Sequence, residues 1–302
     1  MSEFETLTFE DFAEAVKEIL EEVTYGKASV SLYEVLKNNG RYMKAVTILE
    51  SDKTNVSPTI YLKDFYEEYL RKGFTESVNS IIEVYERNKV KGYTDFNFLY
   101  SYEKVRQRLM PRLINYNKNM ELLKNVPHIR YLDLAVAFHY LILKEDGYAS
   151  IMITDTLNEK WLHTPEKLYK DAMFNLEKNI YLNPMIDEIK TLTGFMEILE
   201  DDNSRIKDLH ILSNYAKFYG AASLLSKQVL KSYAEKMKCG RIVILPSSVH
   251  EVLLLPIRFE SDYKELKEMV EIINGSGAVR DEEFLSDNIY VYNKESERIS
   301  MA

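Results

Sequence analysis

The segment GRIVILPSSVHEVLLLPI, residues 240–257, decides the fold of the second half of the chain. Two runs of β-branched and aliphatic residues, Arg241 to Leu245 and Val249 to Ile257, flank a short polar connection. Short apolar runs bounded by turn residues are typical of buried strands. The segment therefore predicts two adjacent core strands.

Helices and hairpins are predicted on the N-terminal side of this strand pair. Apolar residues recur at helical spacing over residues 9–23 and 221–237, and each range predicts one amphipathic helix. Asn39-Gly40 is a strong hairpin signal between two strand-like runs. Pro111 opposes a helix interior, so an extended segment is expected after about Arg108. This mixture predicts an α+β protein with mixed or antiparallel sheets and flanking helices.

The length of the chain bears on its domain organisation. A chain of 302 residues is long for one hydrophobic core, which favours two closely packed units. The composition changes near Val126-Pro127-His128. We therefore expect an N-terminal unit over residues 1–125 and a C-terminal unit over residues 126–302.

The charge balance and the apolar runs argue against two classes of partner. Lys and Arg number 39 against 48 Asp and Glu, a net charge of −9, and an acidic chain repels phosphate backbones. The nearest basic cluster, Lys104, Arg106, Arg108 and Arg112, is sparse. The longest apolar run, residues 252–257, is far shorter than the roughly 20 residues that span a bilayer. We expect neither nucleic-acid nor membrane binding.

The cysteine, histidine and glycine patterns bear on compartment, metal and cofactor. Cys239 is the only cysteine, which excludes an internal disulfide and a thiolate zinc cluster. The acidic start of the chain lacks a signal-peptide pattern, so a cytoplasmic protein is expected. The five histidines are widely separated and the glycines form no phosphate-binding loop. No metal and no cofactor are therefore expected.

The polar connection within residues 246–251 is the main candidate for chemistry. In a hydrolase-like interpretation, Ser247 or Ser248 is the nucleophile, His250 its base and Glu251 the group that orients the imidazole. Strand alternation opposes this set, because Ser248 and His250 would share one face while Glu251 points away. In the favoured structural interpretation, the hydroxyl groups satisfy nearby backbone groups of a connection.

A second candidate cluster lies in residues 212–222. Its small residues permit close approach of the backbone, and the start of the predicted helix offers N–H groups to an anion. The candidate binding residues are Asn214, Tyr219 and Gly220, together with Ser247. The alternative is a turn and a helix start that pack tightly against a sheet.

Blocks along nearly the whole chain resemble a bacterial domain-of-unknown-function family that is common in anaerobic Firmicutes. The blocks are NVSPTIYLKDFYEEY, LLKNVPHIRYLDLAVAF, ILSN…YGAASLLSKQVLKSYAEKMKCGRIVILPSSVHEVLLLP and FLSDNIYVYNKE. The block TDTLNEKWLHTPEKLYKDAMFNL is more distantly similar to the YtpQ-like family. The resemblance implies a shared fold and a bacterial or mobile-element setting, and it brings no catalytic or binding residues to this chain.

Two functional hypotheses follow from these observations. The absent cofactor signatures, the acidic charge and tyrosine-rich faces such as Tyr61, Tyr66 and Tyr69 favour a non-catalytic module that binds a protein or peptide, or regulates one. This hypothesis predicts an exposed apolar or tyrosine patch. The alternative is a hydrolase-like enzyme with its site around residues 247–251, helped by Asn214.

Overall fold

The structure is a computed structural model that describes residues 6–144, 147–193, 208–257 and 263–302. Its internal contacts divide the chain into two units. Unit 1 comprises the residues up to Lys37 together with Arg41–Asn97. Unit 2 comprises Asn38–Gly40 together with Phe98–Ala302. No helix of the described residues is long and apolar enough to cross a membrane.

The predicted helix starts are found where capping residues were recognised. Thr8 Oγ1 accepts a hydrogen bond from the backbone N–H of Asp11, and Thr164 caps the helix that begins with Pro165. The α-helices of the described residues are α1 (Phe9–Val23), α2 (Lys63–Lys72), α3 (Phe74–Asn88), α4 (Tyr102–Val105), α5 (Met120–Leu123), α6 (Asp155–Asn158), α7 (Pro165–Leu176), α8 (Met185–Thr193), α9 (Lys227–Lys236) and α10 (Tyr263–Gly275).

The described strands pair only in antiparallel fashion, in three sheets, which confirms the α+β class. The strands are β1 (Ser29–Leu36), β2 (Tyr42–Leu49), β3 (Ile60–Tyr61), β4 (Leu109–Asn115), β5 (Ile129–Tyr131), β6 (Leu134–Lys144), β7 (Gly147–Met152), β8 (Ile180–Pro184), β9 (His210–Asn214), β10 (Arg241–Pro246), β11 (Val252–Ile257), β12 (Tyr290–Asn293) and β13 (Arg298–Met301).

Unit 1 contains the sheet β1-β2-β3 and helices α1 to α3. The predicted hairpin is confirmed: β1 pairs with β2, and Asn39 and Gly40 adopt the left-handed conformation with φ of 63° and 67°. The Tyr66 ring is tilted against the Phe12 ring with a centroid distance of 5.4 Å, and the Tyr69 ring stacks on Phe12 at 5.3 Å. These two tyrosines are thus partly buried and pack against the core of unit 1.

Unit 2 contains the six-stranded sheet β13-β12-β10-β11-β9-β8. The predicted strand pair is found as β10 and β11, in register from Arg241↔Ile257 to Pro246↔Val252. However, β11 begins at Val252 rather than at Val249. The backbone N–H of Val249 donates to Glu283 O at 2.8 Å, which draws this residue out of the strand ladder. His250 therefore lies in the connection rather than in a strand.

The other sheet of unit 2 has the long strand β6 at its centre. It pairs with β4 along one edge and with β5 and β7 along the other. Pro111 is tolerated because β4 pairs with β6 alone. The pairing of β4 with β6 joins residues on both sides of the expected boundary at 125 and 126. The contact-based division lies at residues 97 and 98 instead.

The single long helix predicted over residues 221–237 is wrong. Residues Gly220–Leu225 form a 3₁₀ helix, and α9 starts after Ser226. The Ser226 side chain accepts a hydrogen bond from the backbone N–H of Val229, so it caps a new helix instead of continuing the old one. The N–H of Ala221 is bonded to Val249 O at 3.3 Å, so this group is not available to an anion.

Candidate functional site

The site is built on one face of the sheet formed by β4, β6 and β7. Arg112 of β4 pairs with Ala137 of β6, and His139 lies two residues further along β6. Because side chains two residues apart share a face, Arg112 and His139 lie on the same side of the sheet. Both are buried, with exposed fractions of 8% and 1%.

A loop after β9 covers this face with two aromatic rings. The Tyr219 ring centroid lies 3.9 Å from Arg112 Cζ and 5.2 Å from the His139 ring, and Phe218 lies 6.3 Å from His139. The predicted binding residue Asn214 holds the loop: its Nδ2 donates to Phe218 O at 2.9 Å and its Oδ1 accepts from Phe218 N at 3.2 Å. Tyr219 adopts a left-handed conformation with φ of 53°, which is costly for a non-glycine residue.

Gly220 allows the loop to pack closely against the connection between β10 and β11. A Cβ atom on Gly220 would lie 2.1 Å from Ser213 Oγ, 2.5 Å from Asn214 N and 2.7 Å from His250 O. Ser213 Oγ in turn donates to His250 O at 2.8 Å. The small residue predicted from the sequence is thus required by close backbone approach.

Of the predicted catalytic residues, His250 contacts Tyr219 directly. Its Nδ1 accepts the backbone N–H of Tyr219 at 3.1 Å, and its ring stacks on the Tyr219 ring at 5.3 Å. The neutral ring therefore carries its proton on Nε2, which lies 3.5 Å from Glu283 Oε1. Glu283 also pairs with Arg280. His250 is thus held by a backbone group and a carboxylate, not by a hydroxyl.

The structure does not gather Ser247, Ser248 and Glu251 around the imidazole of His250. Ser248 Oγ accepts the backbone N–H of His250 at 3.0 Å. Ser247 hydrogen bonds to the side chain of Glu251, and burial raises the pKa of this carboxyl group. The two hydroxyl groups therefore form hydrogen bonds within the connection, as the structural interpretation predicts.

Arg112 is the functional candidate that sequence reasoning missed. Its Nε is enclosed and has no hydrogen-bond partner, and among the described residues no carboxylate lies within 4 Å of the guanidinium. Burial lowers the pKa of Arg112, because the charged form is poorly solvated. The only sequence signal is a charged residue in the middle of an apolar strand, LMPRLIN.

Two imidazoles beside this cation are kept neutral. Burial lowers the pKa of His139 to about 3, and the charge of Arg112 acts in the same direction. Burial also lowers the pKa of His250; the nearby cations Arg112 and Arg280 add to this shift, and Glu283 opposes it. His139 Nδ1 has no hydrogen-bond partner in the part of the chain that the structure describes. Within the described ranges no three His, Cys, Asp or Glu side chains could hold a metal ion together.

The neutral state of His139 predicts a loss of stability in acid. The folded pKa of about 3 lies below the unfolded value, so the stabilisation is complete above about pH 6.5 and is lost as the pH falls toward 3. Between pH 7 and 5.5, His139 should lower the free energy of unfolding by about 1.3 kcal/mol. Chemical denaturation of wild type and His139→Gln at both pH values checks this. Equal pH dependence in the two proteins would contradict it.

The chain was compared with known families, curated proteins and solved structures. A model described as a family of unknown function, DUF5688, matches residues 9–294. No curated protein and no solved structure matches the chain.

Proposed function

The chain belongs to the DUF5688 family of unknown function, and we propose that it is a non-catalytic binding module that holds the carboxylate of a protein or peptide partner at Arg112. One observation carries the proposal: a guanidinium with an exposed fraction of 8% has no anionic partner among the described residues. Burying a charge without a counter-charge raises the free energy of the folded protein. Binding of a ligand that supplies the counter-charge is therefore favourable.

The chemistry of the guanidinium favours a carboxylate group. Arginine presents planar donors that match the two oxygens of a carboxylate, and charge-assisted hydrogen bonds of this kind are stronger than neutral ones. The enclosed position of Arg112 lowers the local dielectric constant and strengthens the attraction. The neutral rings of His139 and His250 add no competing charge next to it.

The surroundings favour an aromatic residue next to the carboxylate. Phe218 stacks on Tyr148 with a centroid distance of 6.5 Å, and it also lies 5.9 Å from His250. Aromatic side chains bury large apolar area and pair favourably with other rings. These rings therefore favour a peptide that ends in phenylalanine with a free carboxylate.

The geometry gives the hydrolase-like alternative no specific support. In that hypothesis His250 accepts a proton from Ser248, but Nδ1 is occupied by the Tyr219 N–H and Nε2 faces Glu283. Ser248 Oγ accepts the backbone N–H of His250, and among the described residues no hydrogen bond joins this hydroxyl to the His250 ring. We therefore infer binding without catalysis.

We also propose a setting for this module. The single cysteine supports a cytoplasmic protein, because thiols stay reduced in that compartment. The sequence blocks quoted above support a bacterial origin, with relatives in Firmicutes and a more distant likeness to the YtpQ-like family. Both inferences rest on the sequence alone.

A matched pair of peptides tests the proposed function. Isothermal titration of the full chain with acetyl-Gly-Gly-Phe should give binding at least tenfold tighter for the free carboxylate than for the C-terminal amide, a difference of about 1.4 kcal/mol. At one hundred times its Kd the carboxylate peptide should raise the free energy of unfolding by about 2.7 kcal/mol. Equal affinity for the two peptides, or binding of neither, would overturn the proposal.

A further inference from the structure

We infer a second binding site in unit 2, a cavity of about 250 Å³ that takes a small carboxylate with an apolar body. The cavity lies between the segment that leads into α9 and the hairpin of β12 and β13. Its volume corresponds to about eight water molecules, which suits a compact ligand rather than a peptide. The inference is independent of the proposed function at Arg112, because the two sites share no residue.

The inner wall of the cavity is apolar. Leu224, Leu225 and Leu230 are buried side chains of the 3₁₀ helix and α9, and Ile299 of β13 lies partly buried beside them. Water in such a cavity makes few hydrogen bonds to the wall. Displacement of this water by the apolar body of a ligand therefore favours binding.

Tyrosine hydroxyl groups supply hydrogen bonds to a ligand. Tyr292 has an exposed fraction of 0% and lines the cavity, and its hydroxyl has no hydrogen-bond partner among the described residues. Tyr131 and Tyr169 line the same cavity. Burial raises the pKa of Tyr131 to about 12 and also raises the pKa of Tyr169 and Tyr292, so all three hydroxyls keep their protons at neutral pH. They can therefore donate hydrogen bonds to ligand oxygens.

Two cations at the cavity set the sign of the ligand charge. Lys227 and Arg298 line it, and among the described residues no carboxylate lies within 4 Å of either side-chain nitrogen group. Glu297, the one carboxylate in the wall, is paired with Lys231 at 2.5 Å. The charge of Lys227 also stabilises the Glu297 carboxylate, whereas Arg298 has no such partner among the described residues. Next to donor hydroxyls, these two cations attract a carboxylate rather than a cation or a neutral group.

Phenylacetate and phenylacetamide test this inference, because they have the same shape and differ in charge. In isothermal titration and saturation-transfer NMR, the full chain should bind phenylacetate at least tenfold more tightly than the amide. Tyr292→Phe and Arg298→Gln should each weaken phenylacetate binding at least fivefold. Tyr215→Phe, which removes a hydroxyl from an exposed ring, should leave it unchanged.

The same titration separates this site from the one at Arg112. If phenylacetate binds in the cavity, Arg112→Met should retain wild-type affinity for it. If Arg112→Met abolishes binding while Arg298→Gln retains it, phenylacetate occupies the Arg112 site and the cavity inference is overturned, although the proposed function stands. Failure of the wild-type chain to bind phenylacetate also overturns the cavity inference, and it leaves the peptide result to decide the proposed function.

Discussion

Replacing Arg112 with methionine is expected to raise the free energy of unfolding of unit 2 by about 1–3 kcal/mol. The guanidinium is buried without a counter-charge among the described residues, and its Cζ lies 3.9 Å from the centre of the Tyr219 ring. Methionine fills a similar volume without a charge to desolvate, and it keeps favourable contact with the aromatic ring. Most substitutions destabilise, so a gain here would identify a residue retained for binding.

Urea denaturation followed by the fluorescence of Trp161 measures this effect. Trp161 is the only tryptophan, it lies in unit 2, and its indole N–H donates to Leu99 O at 3.0 Å, so its signal reports on this unit. Arg108→Met is the matched control, because it removes the same charge from an exposed position four residues away and should change the stability by less than about 0.5 kcal/mol. A loss of stability in Arg112→Met would show that the guanidinium is a structural group.

Replacing Gly220 with alanine is expected to lower the free energy of unfolding by about 3 kcal/mol or more. The added Cβ would lie 2.5 Å from Asn214 N and 2.7 Å from His250 O, which are backbone atoms held by strand β9 and by the 247–251 connection. Relief of these contacts requires the Tyr219 loop to move away from both, which also breaks the hydrogen bond between Tyr219 N and His250 Nδ1.

Gly240→Ala provides the control for this substitution. No atom lies within 4 Å of a Cβ built on Gly240, and its φ lies outside the left-handed range, so alanine should be tolerated or slightly stabilising. The same tryptophan fluorescence measures both variants. If Gly220→Ala were as stable as Gly240→Ala, the tight packing of the loop that presents Tyr219 to Arg112 would be disproved.

Local patterns were sufficient to predict much of the fold. The strands β10 and β11 follow from two apolar runs, and α1 and α7 begin at the hydroxyl caps that the sequence shows. Predicted boundaries of elements were wrong where a hydrogen bond to a residue far along the chain sets the boundary. The connection extends to Glu251 because Val249 N bonds to Glu283 O, 34 positions along the chain, and no local pattern reveals that bond.

The candidate site was predicted only in part, for a related reason. Asn214, Tyr219 and Gly220 were predicted to form a cluster whose small residues permit close approach of the backbone, and the structure shows that Gly220 lies against the backbone of Asn214 and His250. Arg112 was considered only as a member of a sparse basic cluster, because the ring that covers it is more than one hundred positions away in the chain. The Ser248–His250 pair looked plausible because a sequence does not show which backbone groups the two side chains already satisfy.

The most direct test of the account is the affinity of acetyl-Gly-Gly-Phe with a free carboxylate for wild type, Arg108→Met and Arg112→Met at one ionic strength. If Arg112 holds the carboxylate, Arg112→Met should bind at least tenfold more weakly than wild type, while Arg108→Met binds like wild type. Equal affinities for wild type and Arg112→Met would contradict the account.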